Sequence, residues 1–398
     1  MGGEWRASTW GEEISLEYGK SLREYNAMSG RYRVFGSNGP IGWSDQALAQ
    51  GPGIILGRKG AYRGVKYCSE PFFVIDTAYY VVPKRDCDIR WLYYAINYHG
   101  LGEIDDGSPI PSTTRSAVYV RDFDVPPVPE QQAIAVILGA LDDKIELNRR
   151  MNATLEAMAR ALFEAGMRAH SGVVREFVVH KLVADGKLLI GDGYRAKNSE
   201  FADDGLPFVR AGNLKADGFD LLGAEVLSAR SSLLAGHKVG MVNDVAFTSK
   251  GTVGRLTRVS SKTGTFVYSP QVCFWRSLNH DVLNPHLLYR WMASDAFTSQ
   301  VSAVSTQTDM APYVSLQDQK KMLIQLPSPE AQREIASQLA PIDARLAANA
   351  EQSRTLAALR DSLLPKLLSG ELRVSALEST PAETDAESAT VRTRKPAP

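Results

Sequence analysis

Two stretches of this chain gather cations with no acid among them. Gly51 to Ser69 holds Arg58, Lys59, Arg63 and Lys66 and no Asp or Glu. Val245 to Asn279 holds Lys250, Arg255, Arg258 and Lys262, again without an acid. The chain as a whole has 45 Lys and Arg against 45 Asp and Glu, so the excess is local. Each stretch carries a Lys-Gly pair after a short apolar run: IILGRKGAYRG at 54–64 and VAFTSKGTVGRL at 245–256. Glycine lets backbone approach closely, and flanking Lys or Arg can neutralise phosphates and release their counterions. A solvated hairpin tip is the other reading of a single Lys-Gly turn. Two matching copies favour an anionic ligand.

Catalytic signatures are missing from the sequence. It has no G-x-x-x-x-G-K-[ST] phosphate loop, no G-x-G-x-x-G, no H-E-x-x-H and no G-x-S-x-G elbow. Nor does it have the Asn-Pro-Pro-Tyr or Asp-Pro-Pro-Tyr run of amino-methyltransferases; Asn284-Pro285-His286 reads as a helix start. The six histidines are scattered, and Asp105-Asp106, Asp142-Asp143 and Asp203-Asp204 are adjacent pairs. Neighbours on a helix face different ways. Cys68, Cys87 and Cys273 form neither a disulfide framework nor a zinc pattern, which suits a reducing compartment. The first residues, MGGEWRASTWGEE, lack a signal pattern, and no run of 18 apolar residues occurs. The expectation is a cytosolic binding protein with no membrane span, metal or cofactor.

The basic stretches lie in two segments, roughly 1–125 and 169–326, rich in Gly and aromatics. FFVIDTAYYVV (72–82) and TFVYSPQVCFW (265–275) read as strands joined by turns, with helices around Ile89–Tyr98 and Pro285–Phe297. Each segment is α+β, and each is followed by a similar amphipathic helix. PEQQAIAVILGALDDKIELN starts at Pro129 and PEAQREIASQLAPIDARLAAN at Pro329. Ile134, Leu138, Leu141, Ile145, Leu155 and Leu162 fall on Ile335, Leu339, Ile342, Leu346, Leu356 and Leu363. Asp142 falls on Asp343 and Thr154 on Thr355, after a one-residue slip near the proline. Apolar residues stepping by four and three over several heptads mark a coiled-coil seam. Asn148 and Asn152 interrupt it at the level of Asn349 and Ser353. Polar seam residues cost stability and fix register. The prolines suit helix starts, with Glu130 and Glu330 at the positive end of the dipole. Ser369-Gly370 suits a stop.

The residues PPVPEQQAIAVILGALDDKIELNRRMNATLEAMARALF (126–163) and LPSPEAQREIASQLAPIDARLAANAEQSRTLAALRDSLLPKLLSGEL (326–372) resemble the specificity (S) subunits of type I restriction–modification systems. VFGSNGPIG (34–42), ILGRKGAYRG and GSPIPSTTR (107–115) look like a first target-recognition domain of that family. FVRAGNL (208–214), VAFTSKGTVG and STQTDMAPYV (305–314) look like a second. The resemblance covers about 1–374.

It implies an α+β fold of two pseudo-repeated globular target-recognition domains, separated by two long helices paired as an antiparallel coiled coil. The implied boundaries are 1–125, 126–168, 169–326 and 327–374; the remaining 375–398, without periodic apolar residues, reads as a disordered tail. It further implies a non-catalytic, cytoplasmic subunit of a type I restriction endonuclease/adenine methyltransferase. Each domain would read half of a split double-stranded DNA site. The helices would set the spacer and dock two methyltransferase subunits, with restriction subunits joining later. S-adenosylmethionine, ATP and Mg would belong to those partners. Candidate DNA contacts are then Arg58, Lys59, Arg63 and Lys66, with Asn38 and Tyr62, in the first domain. In the second they are Lys250, Arg255, Arg258 and Lys262, with Arg210, Asn213 and Gln307. Sequence does not sort base contacts from phosphate contacts. A coiled-coil scaffold with no DNA role is the alternative. One departure from the family pattern stands out: Glu330-Ala331-Gln332 replaces the Glu-Gln pair of Glu130-Gln131-Gln132.

Overall fold

The computed structural model describes residues 4–25, 28–105, 107, 109–215, 217–305 and 312–374. The chain divides into two compact units, Met1–Asp142 with Leu359–Pro398, and Asp143–Ala358. The division falls inside two long helices, Val128–Ala169 and Pro329–Leu368, so each unit holds part of both. At 42 and 40 residues, each helix runs about 60 Å.

In the first unit a four-stranded sheet runs in the order Ile14–Tyr18, Ala78–Pro83, Gly53–Gly57, Val65–Cys68, antiparallel throughout. Ile14 and Leu16 are buried and alternate with less buried Ser15 and Glu17, the period of a one-sided strand. A second sheet runs Gly39–Ser44, Tyr32–Gly36, Phe72–Val74, its last pair parallel. FFVIDTAYYVV is therefore two strands in two sheets, split by a turn in which Ala78 N donates to Ile75 O at 3.1 Å. Arg6–Thr9 pairs with Asp122–Val125. The core holds Trp10 stacked on Phe123 at 3.9 Å, with Ile54, Leu56, Tyr79 and Trp91. Ile134 and Leu138 of the first long helix and Leu367 and Leu368 of the second complete it.

The second unit repeats the plan. Its four-stranded sheet runs Leu188–Asp192, Val272–Ser277, Val245–Thr248, Leu256–Arg258, again antiparallel. Its three-stranded sheet runs Val226–Ser228, Gly205–Val209, Val267–Tyr268, again with the last pair parallel. TFVYSPQVCFW is split in the same way, with Val272 N donating to Ser269 O at 3.0 Å. Arg175–Val178 pairs with Leu323–Leu326. The connections between the strands differ. Ser37-Asn38 joins two strands of the first unit's three-stranded sheet. Residues 210–225 make the matching connection in the second and include a small hairpin, Leu214–Lys215 with Gly218–Phe219.

The helix at Ile89–Tyr98 forms as expected, capped by Asp88, which accepts from Arg90 N at 2.9 Å and Trp91 N at 2.8 Å. Its counterpart does not run to Phe297. It ends at Met292, and a separate helix covers Asp295–Ser305. Ser294 breaks the pattern: its hydroxyl returns to Trp291 O at 2.6 Å, while its carbonyl receives Thr298 N at 3.1 Å.

The two long helices pair antiparallel within each unit. In the first unit Arg360 meets Asp142, and Leu363 packs with the Ile134–Leu138 end. In the second, Asn148 donates to Asn349 O, Gln352 and Ser353, and Asn152 donates to Leu346 O. A Cβ on Gly166 would meet Ile335. Ile134, Leu138, Ile335 and Leu339 are fully packed, whereas Leu141, Ile145, Leu155, Leu162, Ile342, Leu346, Leu356 and Leu363 are only half-buried. Ala159, Phe163 and Leu367 are buried too. The buried ends pack into the modules as well as against the partner helix, so they are wider than a two-helix seam. The second helix ends at Leu368, where Gly370 takes φ +74° and Leu372 N donates to Lys366 O at 2.8 Å.

The Gln positions correct the sequence alignment. Gln131 donates to Pro126 O at 2.9 Å and accepts from Asp88 N at 2.9 Å. Gln332 donates to Pro327 O at 3.1 Å and accepts from Asn284 N at 2.9 Å. Gln332 is thus the counterpart of Gln131, with Pro327 the counterpart of Pro126. The slip near the proline disappears, and the Glu130 position is Ala331. Glu130 has its own partners: Trp5 Nε1 at 3.1 Å and Arg373 at 2.7 Å.

Candidate nucleic-acid interface

Each Lys-Gly turn hangs from the end of a fully buried strand, Gly53–Gly57 or Val245–Thr248. Both turns are held by the same backbone bonds. Gly60 takes φ +107° and its N–H donates to Pro111 O at 3.0 Å; Gly251 takes φ +78° and donates to Pro312 O at 3.0 Å. Thr113 N returns to Arg58 O at 2.9 Å, and Val314 N to Ser249 O at 2.9 Å. The base closes through Gly57 N to Gly64 O at 2.9 Å, and Thr248 N to Arg255 O at 2.9 Å. The positive φ requires glycine at both tips.

In the first unit the turn also meets the Ser37-Asn38 connection. Gly64 N donates to Ser37 O at 2.9 Å, and a Cβ on Gly57 would lie 2.2 Å from Ser37 O. A Cβ on Gly64 would lie 3.7 Å from Lys66 Cε and 3.8 Å from Asn38 Oδ1. Two separate sequence motifs therefore form one surface, with Asn38, Lys59, Tyr62 and Lys66 exposed. Arg63 serves the loop instead: its guanidinium donates to Gly60, Gly102 and Ile104 carbonyls at 3.1, 3.3 and 3.0 Å. Arg58 lies 5.0 Å over the Tyr18 ring, and Arg115 lies 4.3 Å over the same ring. Tyr18 is 47% exposed, so two guanidiniums and an aromatic face share the surface. The Arg58 Nε is buried with no hydrogen-bond partner among the described residues. Burial and Tyr18 push the neighbouring Tyr79 hydroxyl up to about 12, against a smaller downward pull from Arg58. Tyr18 and Arg115 escaped sequence reasoning because they come from a strand and a helix distant from the turn.

In the second unit Lys250, Arg255 and Lys262 are exposed. Arg255 reaches Ala211 O at 3.4 Å. Four lysines, Lys59, Lys66, Lys250 and Lys262, have no ion-pair partner among the described residues. Where the first unit places Tyr18, at the end of its edge strand, the second places Asp192. Asp192 pairs with Arg195 at 2.5 Å and Lys238 at 3.4 Å. Three expected contacts have structural partners instead. Arg258 is bound to Asp343 at 2.8 Å with its side chain 12% exposed. Arg210 pairs with Glu225 at 2.6 Å. Asn213 closes its own turn, accepting from Arg210 N at 2.8 Å and donating to Asp220 O at 2.9 Å. Gln307 lies outside the described residues, as does the 375–398 tail. Among the described residues no acid, His and Cys cluster can hold a metal, and no helix is long and apolar enough to cross a membrane.

Residues 13–157 match the family model of the type I restriction modification DNA specificity domain. The chain is 25% identical over 320 residues to the type I restriction enzyme MjaIX specificity subunit of Methanocaldococcus jannaschii, covering 75% of this chain and 72% of that protein. It is 21% identical over 332 residues to the HindI specificity subunit of Haemophilus influenzae, covering 66% and 71%. Its fold is similar to the type I restriction–modification S subunit from M. genitalium, with a TM-score of 0.60 at 17% identity over 92% of this chain and 96% of that one. Sequence similarity and shared fold agree with the paired modules: residues 13–157 match a type I restriction modification DNA specificity domain, and the chain as a whole is similar to type I restriction enzyme specificity subunits.

Proposed function

We propose that each unit presents its Lys-Gly face to one half of a split double-stranded DNA site. The observation that carries this reading is the pair of turns held by matching bonds, Gly60 to Pro111 and Gly251 to Pro312, in two acid-free stretches of sequence. Lys59, Lys66, Lys250 and Lys262 neutralise phosphates and fix register. Arg58, Arg115 and Asn38 in one unit, and Arg195, Asp192 and Arg255 in the other, are the candidates to read base edges. Arg suits guanine, Asn suits adenine, and a carboxylate accepts from the cytosine amino group. The different side chains give the two units different half-sites.

The long helices set the spacer between the half-sites. Half-sites read from one side of a duplex lie roughly 34–36 Å apart, within the span of a helix of about 60 Å. Two methyltransferase subunits dock on the repeated helices, and restriction subunits complete the complex. S-adenosylmethionine, Mg and ATP chemistry resides in those partners, and this non-catalytic chain works with them in the cytoplasm.

The test is genome-wide methylation mapping in a host carrying this chain with its neighbouring methyltransferase, against a deletion of this chain. A split motif with a fixed gap, seen only with the chain present, is expected. An active methyltransferase with no chain-dependent motif would overturn the reading in favour of a coiled-coil scaffold.

A further inference from the structure

Asp142 and Asp343 occupy the same position in the two helix repeats, and each is a joint between a long helix and its module. In the second unit Asp343 is 3% exposed. Its Oδ2 accepts from Arg258 Nη1 at 2.8 Å and contacts His286 Nδ1, while Arg290 Nη2 donates to Oδ1. Arg258 ends the strand Leu256–Arg258, which leaves the Lys-Gly turn directly. His286 and Arg290 lie on the module helix Pro285–Met292, and Arg290 also reaches Glu156 on the first long helix. One carboxylate therefore ties the candidate reading strand, the module helix and both long helices together.

In the first unit Asp142 accepts from Tyr94 Oη at 2.6 Å and from Arg360 Nη1 at 2.6 Å. Tyr94 and Arg290 hold matching places on the two module helices, at the same distance from the capping residues Asp88 and Asn284. No strand next to the Lys-Gly turn reaches Asp142 in any described hydrogen bond.

We propose that Asp142 and Asp343 are positioning residues that fix the orientation of each recognition surface on the helices and so determine half-site selectivity. The inference rests on the DNA-reading function proposed above. Asp343 takes one charge-assisted bond from each of two guanidiniums and Asp142 takes one from Arg360, and such bonds are short and directional. A sub-ångström shift of the Arg258 strand moves the turn that carries Lys250 and Arg255.

The experiment maps methylation with the intact complex carrying wild-type chain, Asp343→Asn or Asp142→Asn. Removing one partner leaves buried charge uncompensated, so Asp343→Asn is expected to relax one half-site by about tenfold while the other keeps its selectivity. Asp142→Asn is expected to relax the opposite half. A uniform drop in methylation over all cognate sites, with both halves as selective as before, would show that the carboxylates only hold the fold and would overturn the proposal. If Asp343→Asn does not accumulate, Arg258→Gln and Tyr94→Phe decide by the same readout, since each keeps the carboxylate and another donor. A wild-type chain that yields no split motif overturns the DNA-reading function itself. A wild-type motif left unchanged in every variant overturns only the positioning role.

Discussion

The two units share a backbone plan and differ in the side chains that use it. The strand orders, the parallel pairs, the Gln clamps and the bonds at the Lys-Gly turns all correspond. At the same points Tyr18 is exchanged for Asp192, Tyr94 for Arg290 and a two-residue connection for residues 210–225. Buried backbone N–H and C=O groups must be paired, so the plan tolerates little change. Exposed side chains on the turns face no such demand. A protein that must recognise two different sequences needs that combination: a fixed frame around a replaceable surface.

The largest difference between the units should lie in their joints. Asp343 and Arg290 are both nearly fully buried, whereas Asp142 and Arg360 are 24% and 28% exposed. Asp343→Asn should cost about 3–5 kcal/mol in chemical denaturation, and Asp142→Asn about 1–3 kcal/mol. Equal costs would break the contrast. The Asp343 joint should also be acid-sensitive. Burial raises the Asp343 carboxyl, but the His286 hydrogen bond and the Arg258 and Arg290 charges outweigh it, leaving the group below its usual range. Glu156 also faces the Arg290 guanidinium. A depressed folded-state value adds stability above the unfolded carboxylate range and loses it as pH falls through the folded value. In thermal melts the gap between wild type and Asp343→Asn should therefore narrow below about pH 4.

The Gln clamps sharpen the likeness instead. Gln131→Ala and Gln332→Ala should each cost about 1–3 kcal/mol, by similar amounts, because each strands a buried carbonyl and a helix-start N–H. Calorimetry showing one neutral and one costly would end the equivalence of these positions. The lysines test whether both surfaces touch phosphate. Lys59→Ala with Lys66→Ala, and Lys250→Ala with Lys262→Ala, should each flatten the plot of log affinity against log salt by about 0.9 for every phosphate that is no longer neutralised. One pair without effect would mean that unit meets DNA elsewhere. The smallest change is expected at the seam. Asn148 Oδ1 is buried without a hydrogen-bond partner among the described residues, so Asn148→Leu should raise stability by about 1 kcal/mol or less in a denaturant titration.

The helices were the most legible part of the sequence. Their apolar spacing is local, and the matched Asp142 and Asp343 needed only a self-alignment. Even so, the paired prolines mask the continuous register in which Gln332 takes the role of Gln131. The Lys-Gly turns were legible as pairs, but not their partners. Pro111 and Pro312 reach them across long stretches of sequence that no periodicity connects. Arg63 and Arg258 show the limit most plainly. Both read as free cations in acid-free stretches, yet Arg63 is occupied by three carbonyls and Arg258 by a carboxylate from the distant second helix. Sequence gives the sign of a charge but not what neutralises it.

The polar layer at Asn148, Asn152, Asn349 and Ser353 has a consequence for how the chain reaches its fold. Its side-chain pairs, Asn148 to Gln352 and Ser353 and Asn349 to Asn152, form only in the observed alignment. Were the second helix to slide by a heptad, Asn148 would face Leu346 or Leu356, and a dry amide would lack its partners at a cost of about 1–3 kcal/mol for each group left unmade. Two similar long helices in one polypeptide invite such errors. The layer therefore acts as a checksum: a misaligned chain is marked by its own instability and is returned to the unfolded pool before it can present the wrong surfaces.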